Sequence, residues 1–130
     1  MIVVDASALL EALLRTPAAR AVEERLFEPR QTLHAPHLLD IEVAQVIRRY
    51  AAKGEIDDER GRAALADLAD FPFRRYPHDF LLSRVWDLRN NLTAYDAVYV
   101  ALAEALDAPL LTRDQRLAAA AGHHARIELV

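Results

Sequence analysis

Cysteine is absent from the chain, and lysine occurs only once, at Lys53. Without cysteine the protein has no disulfide scaffold, no thiolate zinc site and no cysteine nucleophile, and its composition fits a reducing compartment. No apolar stretch is long enough to span a bilayer. The first ten residues lack the basic start of a signal peptide and carry an acid inside their apolar run. We therefore expect a soluble, cytoplasmic protein with no membrane partner.

The scarcity of lysine leaves arginine to supply nearly all of the positive charge, and the formal net charge is −4. A protein that coats nucleic acid through a wide basic face is normally basic, so this balance argues against that class. It does not exclude a nuclease, because clustered site carboxylates lower the formal charge and bound metal ions restore it. Arginine is also better suited than lysine to bidentate contacts with phosphate.

The 130 residues, 53% of them hydrophobic, suit one compact domain that spans residues 1–130. Short apolar or β-branched runs alternate with longer helical patterns. They predict strands at 1–4, 32–35, 110–112 and 127–130, with 71–76 as a further strand or edge segment. Helices are predicted at 6–14, 17–27, 38–53, 57–68, 79–88, 93–106 and 114–121. This alternation predicts an α/β fold with a short, mostly parallel central sheet flanked by helices on both faces.

Two of the predicted strands are followed by an aspartate. Asp5 comes directly after the apolar run 1–4, and Asp114 follows the run LLTR. Ligand sites in parallel sheets lie beyond the carboxyl ends of the strands, so both carboxylates should reach the same rim. The alternative for each is an ordinary N-cap of the following helix. The agreement of two strand ends favours a shared site.

Two helices contribute further acids. Asp96 lies near the start of the predicted helix 93–106, which is apolar almost all round and should be buried, so its carboxylate needs a partner or a cation. Its alternative is a capping box with Thr93. Glu42 lies at the edge of the apolar stripe of helix 38–53. On the residues alone, a surface pairing of Glu42 with Arg49 or Gln45 is the better interpretation.

Four carboxylates at one rim repel one another, and such a cluster is tolerated mainly when it binds divalent cations. Hard oxygen ligands without imidazole or thiolate favour Mg²⁺ or Mn²⁺. Metal-bound water could then attack phosphorus in a phosphodiester, with the cation stabilising the leaving oxygen. The pattern therefore indicates metal-dependent hydrolysis in which no side chain needs to be the nucleophile.

Four segments in register resemble the PIN-domain ribonucleases, and among them the VapC toxins of bacterial toxin–antitoxin pairs. The segments are VVDASAL at 3–9, HLLDIEV at 37–43, LTAYDAVYVALAEAL at 92–106 and LLTRDQRL at 110–117. The resemblance covers the whole chain. It implies that Asp5, Glu42, Asp96 and Asp114 are the family's catalytic and metal-binding quartet. Ser7 and Thr112 match hydroxyl residues that support it.

The resemblance also implies a Mg²⁺- or Mn²⁺-dependent endoribonuclease toxin that cuts transfer or ribosomal RNA loops, inhibiting translation and growth. It further implies a homodimer, a cognate VapB-type antitoxin that blocks the site, and a larger toxin–antitoxin assembly. The alternative is a catalytically idle PIN-like module that only binds RNA or a partner. A receiver-like or phosphatase domain fits poorly, because no lysine follows Lys53 and Ser7 stands where such a phosphatase needs a second aspartate.

Other polar and aromatic residues have weaker claims to a role in the site. Arg113 and Arg116 flank Asp114 and are the best candidates for phosphate contacts. The five histidines lack ligand spacing, so surface or capping roles are favoured for them. Trp86 is interpreted as core or dimer surface rather than as a base-stacking platform. The sequence does not identify the RNA, the cut site, the antitoxin or the number of metal ions.

Overall fold

The computed structural model describes all of residues 1–130. The strands are β1 (Ile2–Val4), β2 (Leu33–Pro36), β3 (Phe73–Tyr76), β4 (Leu110–Thr112) and β5 (Ile127–Leu129). The helices are α1 (Ala6–Leu13), α2 (Ala19–Leu26), α3 (Leu38–Ala52), α4 (Asp58–Asp70), α5 (Leu82–Asp87), α6 (Ala94–Leu106) and α7 (Gln115–Ala119). A 3₁₀ turn, Asp79–Leu81, precedes α5.

All five strands form one sheet in the order β3-β2-β1-β4-β5, and every neighbouring pair is parallel. The chain moves outward from β1 through β2 to β3, then crosses to the other side of β1 for β4 and β5. This reversal puts a topological switch point between β1 and β4. Clefts open at such points beyond the carboxyl ends of the strands, so the fold itself selects the place where a ligand can bind.

Helices cover the sheet because each parallel connection is a crossover. Right-handed crossovers put α1 to α4 on one face and α5 to α7 on the other, since the direction of strand addition reverses after β3. The helix contacts agree: α1 packs on α2, α3 and α4, whereas α5 packs on α6. The predicted α/β fold with a parallel sheet flanked by helices is confirmed.

The core is centred on β1 and α6. All three residues of β1 have no solvent exposure, which explains why its sequence has no polar alternation. In α6 every residue from Ala97 to Ala103 is buried, so the helix is covered on all sides in its middle turns. Its first turn emerges from the core at the carboxyl ends of the strands. None of the helices is both long enough and apolar enough to cross a membrane.

Candidate active site

A pocket of about 660 Å³ opens at the switch point between β1 and β4. All four predicted acids line it: Asp5 and Asp114 from the strand ends, Glu42 from α3 and Asp96 from α6. Ser7 and Arg113 also line it, whereas Thr112 is fully buried and Arg116 lies outside the lining. Residues separated by as much as 109 positions in the chain are therefore brought to one cavity by the parallel sheet.

Asp5 is fixed by hydroxyl groups. It stands at the N-cap position of α1 but makes no capping hydrogen bond. Instead, Ser7 Oγ and Thr112 Oγ1 both donate to Asp5 Oδ2, at 2.6 and 2.8 Å. The Ala6 backbone N–H also favours the charged form of this carboxylate and opposes the rise in its pKa. The capping alternative for Asp5 is not realised, since the two hydroxyl groups hold its Oδ2.

The two supporting hydroxyls belong to a small network beneath the pocket. Thr112 Oγ1 accepts from the Asp114 backbone N–H at 3.0 Å, and Ser7 Oγ accepts from the Arg113 backbone N–H at 3.0 Å. The two hydroxyl oxygens lie 3.2 Å apart. The network ties the end of β4 to the start of α1, so the positions of Asp5 and Asp114 depend on each other.

Asp114 has two roles at once. Its Oδ1 accepts from the backbone N–H groups of Arg116 and Leu117 at 2.8 and 3.3 Å, which makes it the N-cap of α7. The capping interpretation is therefore realised here, although the residue also lines the pocket. Its Oδ2 makes no hydrogen bond. Capping uses one oxygen and fixes the side chain, which leaves the second oxygen for a ligand.

Asp96 lies at the third position of α6, and half of the capping box is present. Thr93 Oγ1 accepts from the Asp96 backbone N–H at 3.2 Å. The reciprocal hydrogen bond, from the Thr93 backbone N–H to the Asp96 carboxylate, is absent. The carboxylate is half-buried in the pocket wall. Thr93 therefore caps the backbone of Asp96, and its side chain also stabilises the charged form of the Asp96 carboxylate, which still faces the pocket.

Glu42 is half-buried and makes no ion pair with Arg49 and no hydrogen bond with Gln45, so the surface pairing favoured by the sequence is wrong. Its Oε1 is buried without a hydrogen-bond partner. The Tyr99 hydroxyl lies close enough for burial and the nearby Glu42 carboxylate together to raise the pKa of this tyrosine. The Tyr99 hydroxyl stabilises the Glu42 carboxylate, but the two groups do not form a hydrogen bond of full geometry. A buried carboxylate with so weak a partner is costly to ionise, and a cation would offset that cost.

The electrostatics of the pocket oppose ionisation of its acids. Burial is the main cause that raises the pKa of Asp5, Glu42 and Asp96. Repulsion adds to it: Asp114 acts on Asp5, Asp5 and Asp96 act on Glu42, and Asp5 and Asp114 act on Asp96. Each of these three acids is therefore close enough to at least one other pocket carboxylate to be affected by its charge. A cation among them would relieve both the burial cost and the repulsion.

The donor set fits a hard divalent cation. The pocket offers carboxylate oxygens and no imidazole or thiolate, which matches the preference of Mg²⁺ and Mn²⁺. No three His, Cys, Asp or Glu side chains are drawn together into a ligand set that could hold a metal ion as they stand. Magnesium usually keeps several waters and is bound through one or two direct carboxylates, so it does not require three or four direct protein ligands. The unpartnered Glu42 Oε1 fits the same cation.

The arginines beside the pocket differ in how far they are engaged. Arg113 donates from Nη1 to the Val130 carbonyl at 2.8 Å, and its Nε lies 3.7 Å from Glu11 Oε1. Arg116 is exposed and makes no side-chain hydrogen bond, and its charge opposes the rise in the pKa of Asp96. Their predicted phosphate contacts remain predictions. Both are near the acids, but Arg113 already has protein partners.

The sequence interpretation missed three pocket residues. Glu11 adds a fifth carboxylate, Tyr95 exposes 63% of its surface beside Asp96, and Arg49 lies on the same wall as Glu42. For Arg49, the signal was its spacing of seven from Glu42, which puts both on one helix face. For Tyr95, the available signal was its position next to Asp96 in the sequence. For Glu11, it was a position on the helix that follows Asp5.

The expectation for the histidines was wrong for His34. This residue is only 6% exposed, and its ring hydrogen-bonds the Tyr76 hydroxyl at 2.7 Å and Thr32 Oγ1 at 2.8 Å. Burial lowers its pKa. It links β2 to β3 and is far from the acids, since no histidine lines the pocket. Trp86 is 66% exposed, so its assignment to the core is excluded.

Comparison with known families gives a match over almost the whole chain. The model of the PIN domain family matches residues 2–123. This range contains all four acids, both supporting hydroxyls and both strands that flank the switch point.

Two curated relatives are similar along their full lengths. Ribonuclease VapC1 of Mycobacterium tuberculosis is 49% identical over 129 residues, covering 98% of this chain and 96% of the relative. Ribonuclease VapC12 of the same organism is 45% identical over 130 residues, covering 100% of this chain and 99% of the relative.

A solved structure, a toxin–antitoxin complex from Klebsiella pneumoniae, contains a chain with a similar fold. The superposition has a TM-score of 0.66 at 20% identity and covers 92% of this chain and 91% of that chain. At this identity, the likeness extends to the fold alone.

Proposed function

Since the chain belongs to the PIN-domain family and resembles VapC ribonucleases along its whole length, we propose that it is a metal-dependent endoribonuclease and the toxin of a toxin–antitoxin pair. One observation carries the proposal. Four carboxylates, from the ends of β1 and β4 and from α3 and α6, line a single pocket, where burial and repulsion raise the pKa of Asp5, Glu42 and Asp96. A protein that only bound RNA would gain nothing from this arrangement.

The four pocket acids, Asp5, Glu42, Asp96 and Asp114, would hold the proposed cation, directly or through its bound waters. Bound Mg²⁺ or Mn²⁺ supplies an activated water and positive charge at a phosphate. Ser7 and Thr112 hold Asp5 in place through its Oδ2, and the α7 backbone holds Asp114 through its Oδ1. Hydrolysis then needs no side-chain nucleophile.

The substrate and partners follow from the family rather than from the pocket. We propose RNA, with transfer or ribosomal RNA loops as the targets, so that cleavage inhibits translation and growth in the cytoplasm. The curated relatives are named ribonucleases, and the Klebsiella structure that contains a chain of this fold is a toxin–antitoxin complex. We accordingly propose a VapB-type antitoxin and a homodimer, within a larger toxin–antitoxin assembly.

Cleavage of RNA by the purified protein tests the proposal. Antitoxin-free wild type should cut RNA in the presence of Mg²⁺ or Mn²⁺ and lose that activity in EDTA. Asp96→Asn should reduce the rate by about 100-fold or more, because it removes a charge that holds the cation while keeping the side-chain size. Gel analysis of labelled RNA gives the rate, and circular dichroism checks the fold.

Asp87→Asn is the matched control. Asp87 ends α5, is exposed and makes no hydrogen bond or ion pair, so the same chemical change should leave cleavage unaffected. Cleavage at the wild-type rate by Asp96→Asn would show that the acid quartet is assigned wrongly. Cleavage that persists in EDTA would remove the metal from the proposal.

A further inference from the structure

One face of α3 forms a long wall of the pocket. The residues that line it recur at intervals of three and four, from Leu38 at the first turn to Tyr50 near the end of the helix. Such spacing keeps side chains on one side of a helix. Glu42 and Arg49 lie seven positions apart, which corresponds to about 10 Å along the axis at 1.5 Å per residue. The pocket therefore extends about two helical turns beyond the acids.

Few positively charged side chains line this pocket. Five acids line it, but only two arginines do, Arg49 and Arg113. Arg113 is occupied by the Val130 carbonyl and by Glu11. Arg49 is exposed and has no ion pair and no hydrogen bond, even though Glu42 lies on the same helix face. Arg49 is thus the only pocket-lining cation that is free to bind an incoming anion.

The acids and Arg49 lie at different places along the pocket, so they should bind different parts of an RNA strand. The backbone positions of Glu42 and Arg49 differ by about 10 Å along the helix axis, which suits Arg49 to a phosphate other than the one that the carboxylates and their cation would hold. A stacked nucleic-acid strand rises about 3.4 Å per nucleotide, so the same distance corresponds to roughly three nucleotides, and to fewer in an extended strand. A guanidinium can bind a phosphate through two parallel hydrogen bonds.

We propose that the α3 wall carries the RNA strand away from the cleaved bond and that Arg49 binds a backbone phosphate flanking that bond. The inference rests on the proposed ribonuclease function and adds to it the path of the strand. Arg49 acts as a positioning residue, since it contacts the substrate but not the reacting phosphate. Its contribution should appear in RNA binding and not in the chemical step.

Arg49→Gln and Arg48→Gln form a matched pair. Arg48 is the next residue of α3, is also exposed and unpaired, and does not line the pocket. Each change is made in the Asp96→Asn background, and binding of a labelled, mixed-sequence single-stranded RNA is measured by fluorescence anisotropy at a fixed low Mg²⁺ concentration. Arg49→Gln should weaken binding about tenfold, as expected for the loss of a charged hydrogen-bonded contact.

The salt dependence gives a second readout. Losing one phosphate contact on a single strand should lower the slope of log Kd against log salt by about 0.7, whereas Arg48→Gln should leave it unchanged. In the cleavage-competent protein, Arg49→Gln should raise KM and leave kcat unchanged.

The inference and the proposed function can fail separately. Equal affinities and equal salt slopes for the two arginine variants would overturn the role of Arg49, even if the wild type cleaves RNA. A fall in kcat at unchanged KM would overturn it too, because it would put Arg49 in the chemistry. A third outcome is that the wild type cuts no RNA while Arg49→Gln still lowers the RNA affinity and the salt dependence of binding. In that case the proposed RNA path along α3 is supported and the ribonuclease proposal fails.

Discussion

At the residue scale, Asp5 depends on the hydroxyl groups of Ser7 and Thr112, which hold one of its carboxylate oxygens. Thr112 is completely buried, donates to Asp5 Oδ2 and accepts from the Asp114 backbone N–H. It therefore connects two acids of the pocket through one oxygen atom. Because all three of its hydrogen-bonding contacts are internal, the hydroxyl serves the arrangement of the site and also the stability of the fold.

Thr112→Val keeps the shape of this side chain and removes its hydroxyl. The Asp114 backbone N–H then loses its partner, and Asp5 loses one of two donors that favour its charged form. We expect the free energy of unfolding in urea to fall by about 1–3 kcal/mol, and RNA cleavage to fall by about 10- to 100-fold. Ser83→Ala is the control, since Ser83 is exposed and makes no hydrogen bond. Unchanged stability and cleavage in Thr112→Val would mean that this network does not support the site.

Glu42 allows a test of the electrostatic strain in the metal-free protein. Its pKa is raised in the folded state, mainly by burial. A carboxyl group with a raised folded pKa contributes stability that is fully present below its unfolded pKa and is lost as the pH rises through the folded pKa. At neutral pH, Glu42→Gln should therefore be more stable than the wild type in EDTA. The difference should vanish as the pH falls towards about 4.

Urea unfolding at a series of pH values measures this difference. The lowered pKa of His34 gives a pH dependence of opposite sign, but it acts equally on both proteins and cancels when they are compared. Glu55→Gln, at an exposed and unpaired position, should show no pH-dependent gain. Adding Mg²⁺ should reverse the order, because the wild type then gains more from the cation. A Glu42→Gln protein that is less stable than the wild type in EDTA would contradict the proposed repulsion.

At the scale of the elements, α6 connects the core to the site. Its middle turns are buried on all sides, and its first turn delivers Asp96 to the pocket. Leu102 in this helix has no solvent exposure. Leu102→Ala should therefore reduce the free energy of unfolding by about 2–5 kcal/mol through lost burial and a new cavity. Leu82→Ala, at a position 58% exposed, should change it by less than about 0.5 kcal/mol. Similar losses for both variants would mean that α6 is not the centre of the core.

The elements also show how far the sequence could predict the fold. The strands β1 and β4 were predictable because uninterrupted apolar runs followed by an acid are typical of buried parallel strands. The segment 71–76 stayed ambiguous because β3 is an edge strand whose residues are exposed or only partly buried. The helix predicted at 79–88 is divided into a 3₁₀ turn and the short α5, which buries none of its own residues. Because α5 has no fully buried residue, the hydrophobic pattern of this segment could not distinguish one long helix from a 3₁₀ turn followed by a short α-helix.

A site residue could be predicted from the sequence when the residues that determine its position are close to it in the chain. Strand-end position was enough to locate Asp5 and Asp114. Glu42 could not be located from its own helix, because its surroundings come from Tyr99 on α6 and from Asp5. The arginines could not be ranked either, since Arg113 is occupied by Glu11 and by the carbonyl of the last residue. Such pairings exist only once the chain has folded.

At the scale of the whole molecule, the charge balance gives the simplest description of the protein. The formal net charge is −4, and the proposed quartet would by itself carry four negative charges when fully ionised. The rest of the chain is then neutral overall, so the attraction for RNA has to come from a bound cation and from local arginines. This explains how an acidic protein can act on a polyanion. It also predicts that metal removal weakens RNA binding as well as cleavage.

Manganese binding to the EDTA-treated, dialysed protein tests the central claim most directly. Mn²⁺ in free solution gives an electron paramagnetic resonance signal that weakens on binding, so titration reports occupancy without any RNA or activity. The wild type and Asp87→Asn should bind Mn²⁺ with the same affinity, whereas Asp5→Asn and Asp96→Asn should bind it much more weakly. Equal binding by all four proteins, or no binding by the wild type, would contradict a metal site built from these acids.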